Sequence, residues 1–171
     1  STLDLYYKNL TGSIPAELGS ISNLHLIYLN DNEFSGSIPP ELSNLINLEY
    51  LELSKNQLTG NIPSELRNLQ KLYRLSLFDN RLSGTIPAEL GELSNLEELY
   101  LYNNELTGSI PAELASLSKL KTCVLWGNKL SGKVPQAIMD HPCWATNWHL
   151  ILNQSDYGIS EEGIEIYAPE F

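Results

Sequence analysis

The sequence is poor in the residue types from which catalytic sites are most often built. Its 171 residues include 2 cysteines, 1 methionine and 3 histidines. His25, His141 and His149 fall in different repeats, and none has a serine, cysteine or carboxylate partner at a predictable distance. No glycine-rich phosphate loop follows a predicted strand. We therefore predict that the chain is not an enzyme and uses no cofactor.

Basic residues and long apolar runs are also scarce. The chain has 10 lysines and arginines against 21 aspartates and glutamates, for a net charge of −11 at pH 7. Nucleic acids and anionic membranes attract basic surfaces, so neither is an expected partner. No apolar run approaches the ~18 residues of a membrane-spanning helix, so no membrane insertion is expected. The start at Ser1 shows neither an initiator methionine nor a signal sequence, which indicates a processed or trimmed chain.

The two cysteines do not predict a disulfide. Cys123 takes the place of an inward leucine, and Cys143 lies about four residues out of step with it on the next coil. At the usual rise of a strand this offset corresponds to roughly 13 Å. The Cα atoms of a disulfide lie within about 7 Å of each other. We therefore predict two free thiols, with Cys123 buried.

What the sequence has in abundance is repetition with a period of 24 residues. Each of six copies carries one glycine and, three residues later, one proline, at Gly12/Pro15, Gly36/Pro39, Gly60/Pro63, Gly84/Pro87, Gly108/Pro111 and Gly132/Pro135. A period of this length is typical of a solenoid, in which one supersecondary unit stacks on copies of itself. Such a molecule has a continuous lateral surface that is suited to binding.

The repeat LEYLELSKNQLTGNIP, residues 48–63, predicts one strand and one turn. Leu51 and Leu53 alternate with Tyr50 and Glu52, as expected for a strand with one buried face that stacks in parallel on its copies. The following asparagine is expected to bond the unpaired backbone at the bend. The asparagine ladder consists of Asn32, Asn56, Asn80, Asn104 and Asn128.

A short helical turn is predicted after each proline, with a carboxylate near its N-terminus. The acids are Glu17, Glu41, Glu65, Glu89 and Glu113. Peptide dipoles favour negative charge at such a position, so the column needs no bound cation and we assign no metal.

These motifs resemble the plant-type subclass of leucine-rich repeat proteins, with the pattern LxxLxLxxNxLxGxIPxxLxxLxx. The match covers residues 3–143, and the segments LTGNIPSEL, LSGTIPAEL and LTGSIPAEL carry it. The resemblance implies an α/β right-handed solenoid with a concave parallel sheet, convex 3₁₀ turns and a second, smaller sheet. That subclass includes ectodomains of plant receptor kinases and polygalacturonase inhibitors, and similar arrays occur in bacteria and protists.

The two ends depart from the pattern, which divides the chain into a repeat array, 1–143, and a C-terminal cap and tail, 144–171. At the first end Lys8 replaces the ladder asparagine and no cap is visible, so self-association through this coil is an expected behaviour. At the other end a one-residue slip would turn Trp148, Leu150 and Leu152 inward beside Trp144. The segment 163–171 alternates as a last strand would.

Aromatic residues at outward strand positions are the candidate binding surface. A purely structural role would not place them all on the solvated face, and exposed tyrosine and tryptophan dominate binding surfaces. Charges are interleaved with the rings, and several, such as Glu97 and Lys121, are expected to pair across strands. The candidate ligand-binding residues are Tyr6, Tyr28, Tyr50, Glu52, Tyr73, Arg74, Phe78, Tyr100, Tyr102 and Trp126.

We therefore predict an extracellular or cell-surface recognition module that binds a peptide or protein through its concave face, with a glycan as another possible ligand. A structural or adhesive spacer of a larger surface protein, and an inhibitor of a wall-degrading glycosidase, remain alternatives. Asn9 and Asn153 begin glycosylation motifs, which matter only if the source is eukaryotic and the chain is secreted.

Overall fold

The computed structural model describes residues 1–145, 157–160 and 163–166, and its main element is a parallel sheet along the concave side of a solenoid. Asp4 pairs with Tyr28, and Tyr28 pairs with Glu52, so each strand is joined to its repeat equivalent. Equivalent side chains therefore stack in columns. The six strands are β1 (Thr2–Asp4), β3 (Leu26–Tyr28), β5 (Tyr50–Glu52), β7 (Arg74–Ser76), β9 (Glu98–Tyr100) and β11 (Thr122–Val124).

The opposite, convex side is built from short 3₁₀ turns, as predicted. Each begins after a proline with extended backbone and carries its glutamate in the first turn, where the dipoles favour it. The turns are Ala16–Ser20, Pro40–Asn44, Ser64–Asn68, Ala88–Glu92 and Ala112–Ser116.

A second, lateral sheet is formed by short strands that span the glycine of each repeat or lie just before it. Its strands are offset from the repeat: Thr11 pairs with Glu33 and not with its equivalent, Ser35. An isolated bridge from Thr85 to Thr107 continues the sheet across the middle of the array. The strands are β2 (Thr11–Ser13), β4 (Glu33–Ser37), β6 (Gln57–Gly60), β8 (Arg81–Leu82), β10 (Thr107–Gly108) and β12 (Lys129–Leu130).

The core between these surfaces is a stack of leucines closed at the bend by the asparagine ladder. Leu51, Leu75 and Leu99 are fully buried, one from each of three successive strands. Asn80 shows the role of the ladder: its Oδ1 accepts the N–H of Leu58 at 3.0 Å, and its Nδ2 donates to the carbonyl oxygens of Leu53 and Leu77 at 3.0 and 3.1 Å. The predicted role of the ladder asparagines is confirmed.

The C-terminal elements cover the last coil. After β13 (Gly132–Lys133) come two single-turn helices, α1 (Gln136–Met139) and α2 (Pro142–Ala145), followed by β14 (Tyr157–Ser160) and β15 (Gly163–Ile166). Strand β15 pairs antiparallel with both β13 and β14, which confirms the predicted strand at this end. No helix in the described part of the chain is long and apolar enough to cross a membrane.

The predicted closure of the core by tryptophan is confirmed at Trp144, which is fully buried. Trp148, Leu150, Leu152 and the glycosylation motif at Asn153 lie outside the described residues.

Neither cysteine forms a disulfide and Cys123 is buried, as predicted, but Cys143 is buried as well, and the large separation expected between the two is wrong. Burial raises the pKa of both thiols, and the backbone of Cys123 forms a hydrogen bond with the Cys143 thiol. The physical reason is the turn after Ile138, because helix α2 folds back onto β11 and does not continue the repeat register. The offset counted along a strand therefore does not measure the distance between the two residues.

Candidate functional site

The concave face presents one series of side chains that we call the outer column, located two residues after the end of each strand. Its members are Tyr6, Asn30, Ser54, Phe78, Tyr102 and Trp126. Because the strands are in register, these positions lie one above the other at roughly 4.8 Å per coil, the spacing of neighbouring strands. The side chains are aromatic at both ends of the column and small in the middle.

Three rings in the C-terminal half of the outer column form a continuous stack. The centroids of Phe78 and Tyr102 are 4.4 Å apart with planes at 7°, and those of Tyr102 and Trp126 are 4.7 Å apart with planes at 24°. Tyr100 meets Phe78 edge-on at 6.5 Å. Both faces of Tyr102 are thus covered, and the stack presents ring edges and a hydroxyl group to solvent.

Tyr50 and Tyr73 form a second aromatic group at the start of the strands. Their rings stack at 5.3 Å, because Tyr73 precedes β7 and leans across to the neighbouring strand. Beside them lies a shallow hollow of about 340 Å³ lined also by Glu49, Lys71 and Glu97. Tyr50 and Tyr73 therefore form a group separate from the outer column.

Arg74 lies at the centre of the face between two carboxylates. Its Nε contacts Glu52, and its Nη1 lies 3.1 Å from Oε2 of Glu98. Its Cζ lies 4.9 Å from the centroid of the Tyr100 ring, a cation–π geometry. Arg74 is therefore already engaged by the fold on three sides.

Glu52 is the most enclosed of the predicted binding residues, with only 7% of its surface exposed. Burial raises the pKa of the Glu52 carboxyl, although Arg74 and a hydrogen bond from Ser76 oppose the rise. Its contact with Arg74 holds that side chain in place, and Glu52 still lines one of the hollows of the face.

Several other charges on the face pair across strands, as predicted. Lys121 pairs with Glu97, and Nζ of Lys55 lies 3.3 Å from Oδ1 of Asp31. Hydrogen bonding by Lys121 lowers the pKa of the Glu97 carboxyl. These exposed pairs contribute little to stability, and they reduce the number of free charges on the face.

Four tyrosines of the face, whose pKa values are raised, remain protonated at neutral pH. Burial, followed by the charge of a nearby carboxylate, raises the pKa of Tyr28, Tyr73, Tyr100 and Tyr102. The carboxylates are Glu52, Glu97, Glu98 and Asp79, in the same order. The phenols therefore act as neutral hydrogen-bond donors.

A hollow of about 430 Å³ interrupts the outer column where its residues are small. Asn30 and Ser54 lie at its floor between the rings of Tyr6 and Phe78, and the sequence reasoning missed both. The signal was available, since aligning the repeats shows two small residues in an otherwise aromatic column. The lining residues are Asp4, Tyr6, Tyr28, Asn30, Asp31, Glu52, Ser54, Lys55, Arg74 and Phe78.

The structure divides the predicted site residues into three groups. The first is a set connected by successive contacts, and it consists of Glu52, Arg74, Tyr100, Phe78, Tyr102 and Trp126. Tyr50 with Tyr73 forms the second group. The third group borders the hollow and contains Tyr6, which is 51% exposed, and Tyr28. Within the described residues, no group of three or more histidine, cysteine or acidic side chains is arranged to hold a metal ion.

The chain belongs to the leucine-rich repeat family. The family model described as a leucine-rich repeat region matches residues 2–142, which is most of the chain and the whole of the repeat array. No curated protein matches the sequence.

Solved structures of plant receptor ectodomains are similar to this chain. The plant peptide hormone receptor RGFR1, in complex with RGF2, is 38% identical over 84% of this chain, with a TM-score of 0.82. The ectodomain of the Arabidopsis receptor kinase HAESA, in complex with an N-terminally extended IDA peptide hormone ligand, is 41% identical over 89% of this chain, with a TM-score of 0.81. The matches span only 23% and 24% of those two chains.

Smaller ectodomains match as well. The BIR3–SERK2 complex from Arabidopsis thaliana is 40% identical over 76% of this chain and 69% of that chain, with a TM-score of 0.67. Of these three similar structures, two contain a bound peptide hormone and one is a complex of two proteins.

Proposed function

We propose that the chain is an extracellular or cell-surface recognition module that binds an extended peptide, or an extended segment of a protein, across its concave face. The observation that carries this proposal is the stack of Phe78, Tyr102 and Trp126. Because each ring is held by its neighbours, little side-chain entropy is lost when a ligand is bound. The peptide complexes of RGFR1 and HAESA support the same class of ligand.

Ring orientation favours a peptide over a glycan at the stack. Sugars pack against open ring faces, whereas both faces of Tyr102 are covered by its neighbours. Ring edges and phenolic hydroxyl groups are suited to backbone carbonyl groups, because the ring edge carries the positive part of the quadrupole and the hydroxyl donates. An extended peptide presents such carbonyls at regular intervals.

A random 12-residue peptide display pool tests the proposal. The immobilised 171-residue chain should enrich related sequences, and Tyr100→Ala with Tyr102→Ala should weaken the binding of those peptides at least tenfold. The reason is that buried aromatic anchors contribute most of the energy of an interface. Tyr7→Ala is the control, because Tyr7 is 67% exposed and lies outside the stack.

Circular dichroism should show that the double variant keeps its fold, since the leucine core is untouched. A spacer without a recognition role would enrich no sequence family, and affinity that is unchanged in the double variant would exclude the stack as the binding surface.

A further inference from the structure

We propose that the hollow in the outer column is a binding site for one aromatic side chain of the ligand peptide, which stacks on Phe78 above Ser54. The inference rests on the proposed function, since it specifies the chemistry of one position of that peptide. Three features of this end of the hollow support it: a face of Phe78 that no other ring covers, a gap with the spacing of one ring, and charges that are already paired.

Phe78 is stacked on one face only. The ring of Tyr102 lies 4.4 Å away with its plane at 7°, and among the described residues the other ring contact of Phe78 is with Tyr100, which meets it edge-on at 6.5 Å. On the remaining face the next residue of the outer column is Ser54, and both Phe78 and Ser54 line the hollow. A flat ring above Ser54 would therefore extend the stack by one member.

The gap beside Phe78 has the spacing of one ring. The residue of the outer column beyond Ser54 is Asn30, two coil steps from Phe78, or roughly 9.6 Å at the strand spacing. A ring halfway between them would lie roughly 4.8 Å from each, close to the 4.4 and 4.7 Å measured within the stack. Ser54 is only 2% exposed, so it is the floor of a narrow gap between larger side chains.

The far wall of the gap is a planar group as well. The side-chain amide of Asn30 lines the hollow, and its Nδ2 donates to Oδ2 of Asp31 at 3.1 Å, which holds it in place. A ligand ring would thus be enclosed between the ring of Phe78 on one side and this amide on the other. Two walls that are fixed before the ligand arrives reduce the entropy lost on binding.

The charged groups of the hollow do not call for a charged ligand. Its lining contains three carboxylates and two cations, and both cations are already paired: Nζ of Lys55 lies 3.3 Å from Oδ1 of Asp31, and Arg74 contacts Glu52. The third carboxylate, Asp4, belongs to strand β1 at the opposite end of the hollow. A charged side chain inserted beside Phe78 would have to compete with these pairs, whereas a neutral ring leaves them intact.

Stacking distinguishes an aromatic side chain from other apolar groups of similar volume. Parallel, offset rings attract each other beyond the effect of the apolar area that they bury. A cyclohexyl ring is thicker, because its axial hydrogens project from both faces, so it cannot approach Phe78 at the spacing of the column. An aromatic side chain also has only two rotatable bonds, so little entropy is lost when it is fixed.

The experiment compares N-acetyl-phenylalanine amide with N-acetyl-cyclohexylalanine amide. Binding to the full chain is followed by the NMR signals of the Phe78 ring, which should move upfield with the phenylalanine amide because they would lie over the face of its ring. We expect these shifts to saturate and the cyclohexylalanine amide to bind at least fivefold more weakly. Equal binding of the two amides, or no saturable shift at Phe78, would overturn the proposal. Tighter binding of methyl β-glucoside at the same place would also overturn it, by identifying a sugar site.

Two variants locate the binding. Ser54→Phe should abolish it, because the new ring would occupy the gap, and the outer column already holds rings at the equivalent positions Phe78 and Tyr102. Ser35→Phe, the same substitution at an exposed position of the lateral sheet, should leave it unchanged. Circular dichroism checks that both variants fold. Undiminished binding to a folded Ser54→Phe variant would overturn the proposal, and the comparison of the two amides on the wild-type chain decides it if that variant does not fold.

The display pool separates this inference from the proposed function. Enriched peptides with one recurrent aromatic position, which bind Ser54→Phe at least fivefold more weakly, support both. Enriched peptides that depend on Tyr100 and Tyr102 but have no recurrent aromatic position would overturn the aromatic site and leave the recognition module intact. Failure to enrich any sequence would count against the proposed function itself, while the two amides still test the hollow directly.

Discussion

Each asparagine of the ladder joins three stretches of backbone, and this makes it the most exacting residue of the repeat. Asn80→Ala would leave the N–H of Leu58 without its partner and would remove one of the two ladder bonds to each of the carbonyl groups of Leu53 and Leu77, which keep those from Asn56 and Asn104. Buried groups left unsatisfied cost about 1–3 kcal/mol each, partly recovered if water enters. We expect a loss of about 3 kcal/mol in the free energy of unfolding, measured by urea denaturation.

The control for this prediction is Asn68→Ala on the convex side. Asn68 is exposed in the turn Ser64–Asn68, so its replacement should change stability by less than about 0.5 kcal/mol. Equal losses of stability in Asn80→Ala and Asn68→Ala would show that the ladder hydrogen bonds contribute no more to the free energy of unfolding than surface contacts do.

Glu52 gives a prediction about pH. Its folded pKa is raised, mainly by burial, so the neutral form is favoured by folding. The resulting stability is present below the ordinary carboxyl pKa and is lost as the pH rises through the raised value. The free energy of unfolding of the wild-type chain minus that of Glu52→Gln should therefore be larger at pH 3.5 than at pH 7.

Urea denaturation of both proteins at the two pH values measures this difference. Glu33→Gln controls for the general effect of removing a carboxylate, since Glu33 is exposed. If the wild-type chain instead gains stability over Glu52→Gln as the pH rises, the pairing with Arg74 outweighs burial.

At the scale of elements, two glycines allow the convex turns to approach each other closely. A Cβ atom at Gly91 would lie 2.3 Å from the carbonyl oxygen of Glu113, and one at Gly19 would lie 2.2 Å from that of Glu41. The oxygen belongs to backbone in the next turn, so the clash cannot be relieved by rotating a side chain. Gly91→Ala should therefore lower stability by about 1–3 kcal/mol, the usual cost of overpacking.

Ala115 occupies the position of Gly91 one coil further on. Ala115→Gly is therefore the reverse substitution at the same repeat position. It removes a methyl group without creating a clash, and we expect a loss below about 1 kcal/mol in thermal or urea unfolding. If Gly91→Ala is no more harmful than Ala115→Gly, the coils can separate at no cost and the close approach is incidental.

The sequence best predicts the elements whose positions are fixed by the regular spacing of particular side chains. Leucine spacing defines the β3, β5 and β7 strands, and each proline defines the start of a 3₁₀ turn, because these are local preferences repeated in every coil. The offset pairing of Thr11 with Glu33 could not be predicted, since backbone hydrogen bonds in the lateral sheet involve no particular side chain. The proximity of Cys143 to Cys123 depends on the chain direction after Ile138, for which no repeat exists.

The sequence predicts which residues belong to the candidate site, but only part of how they are arranged in space. The alternation along each strand assigns Phe78, Tyr102 and Trp126 to the outward face, the 24-residue repeat assigns them to one column, and the stacked rings agree with both. The burial of Glu52 depends on the larger side chains around it, and the hollow depends on what is missing at Asn30 and Ser54. Both are properties of neighbouring coils together, which a reading of single repeats does not reveal.

At the scale of the whole molecule, stacking leaves a strand at the edge of the concave sheet. In the described part of the chain, β1 pairs only with β3, and Leu3 and Leu5 are only partly buried against the core. An open strand edge beside apolar surface is a template for pairing with another chain. We therefore predict that a polypeptide of these 171 residues forms dimers through residues 1–12 as its concentration rises.

Light scattering coupled to size-exclusion chromatography measures this association. Leu3→Glu should shift the dimer towards monomer at least tenfold, because a charge would be buried in the paired edge. Ile46→Glu is the matched control: Ile46 is 60% exposed on the convex side, so its replacement tests whether any exposed apolar residue drives association. A wild-type chain that remains monomeric at high concentration, or two variants with equal effects, would show that this edge is sealed by its own coil.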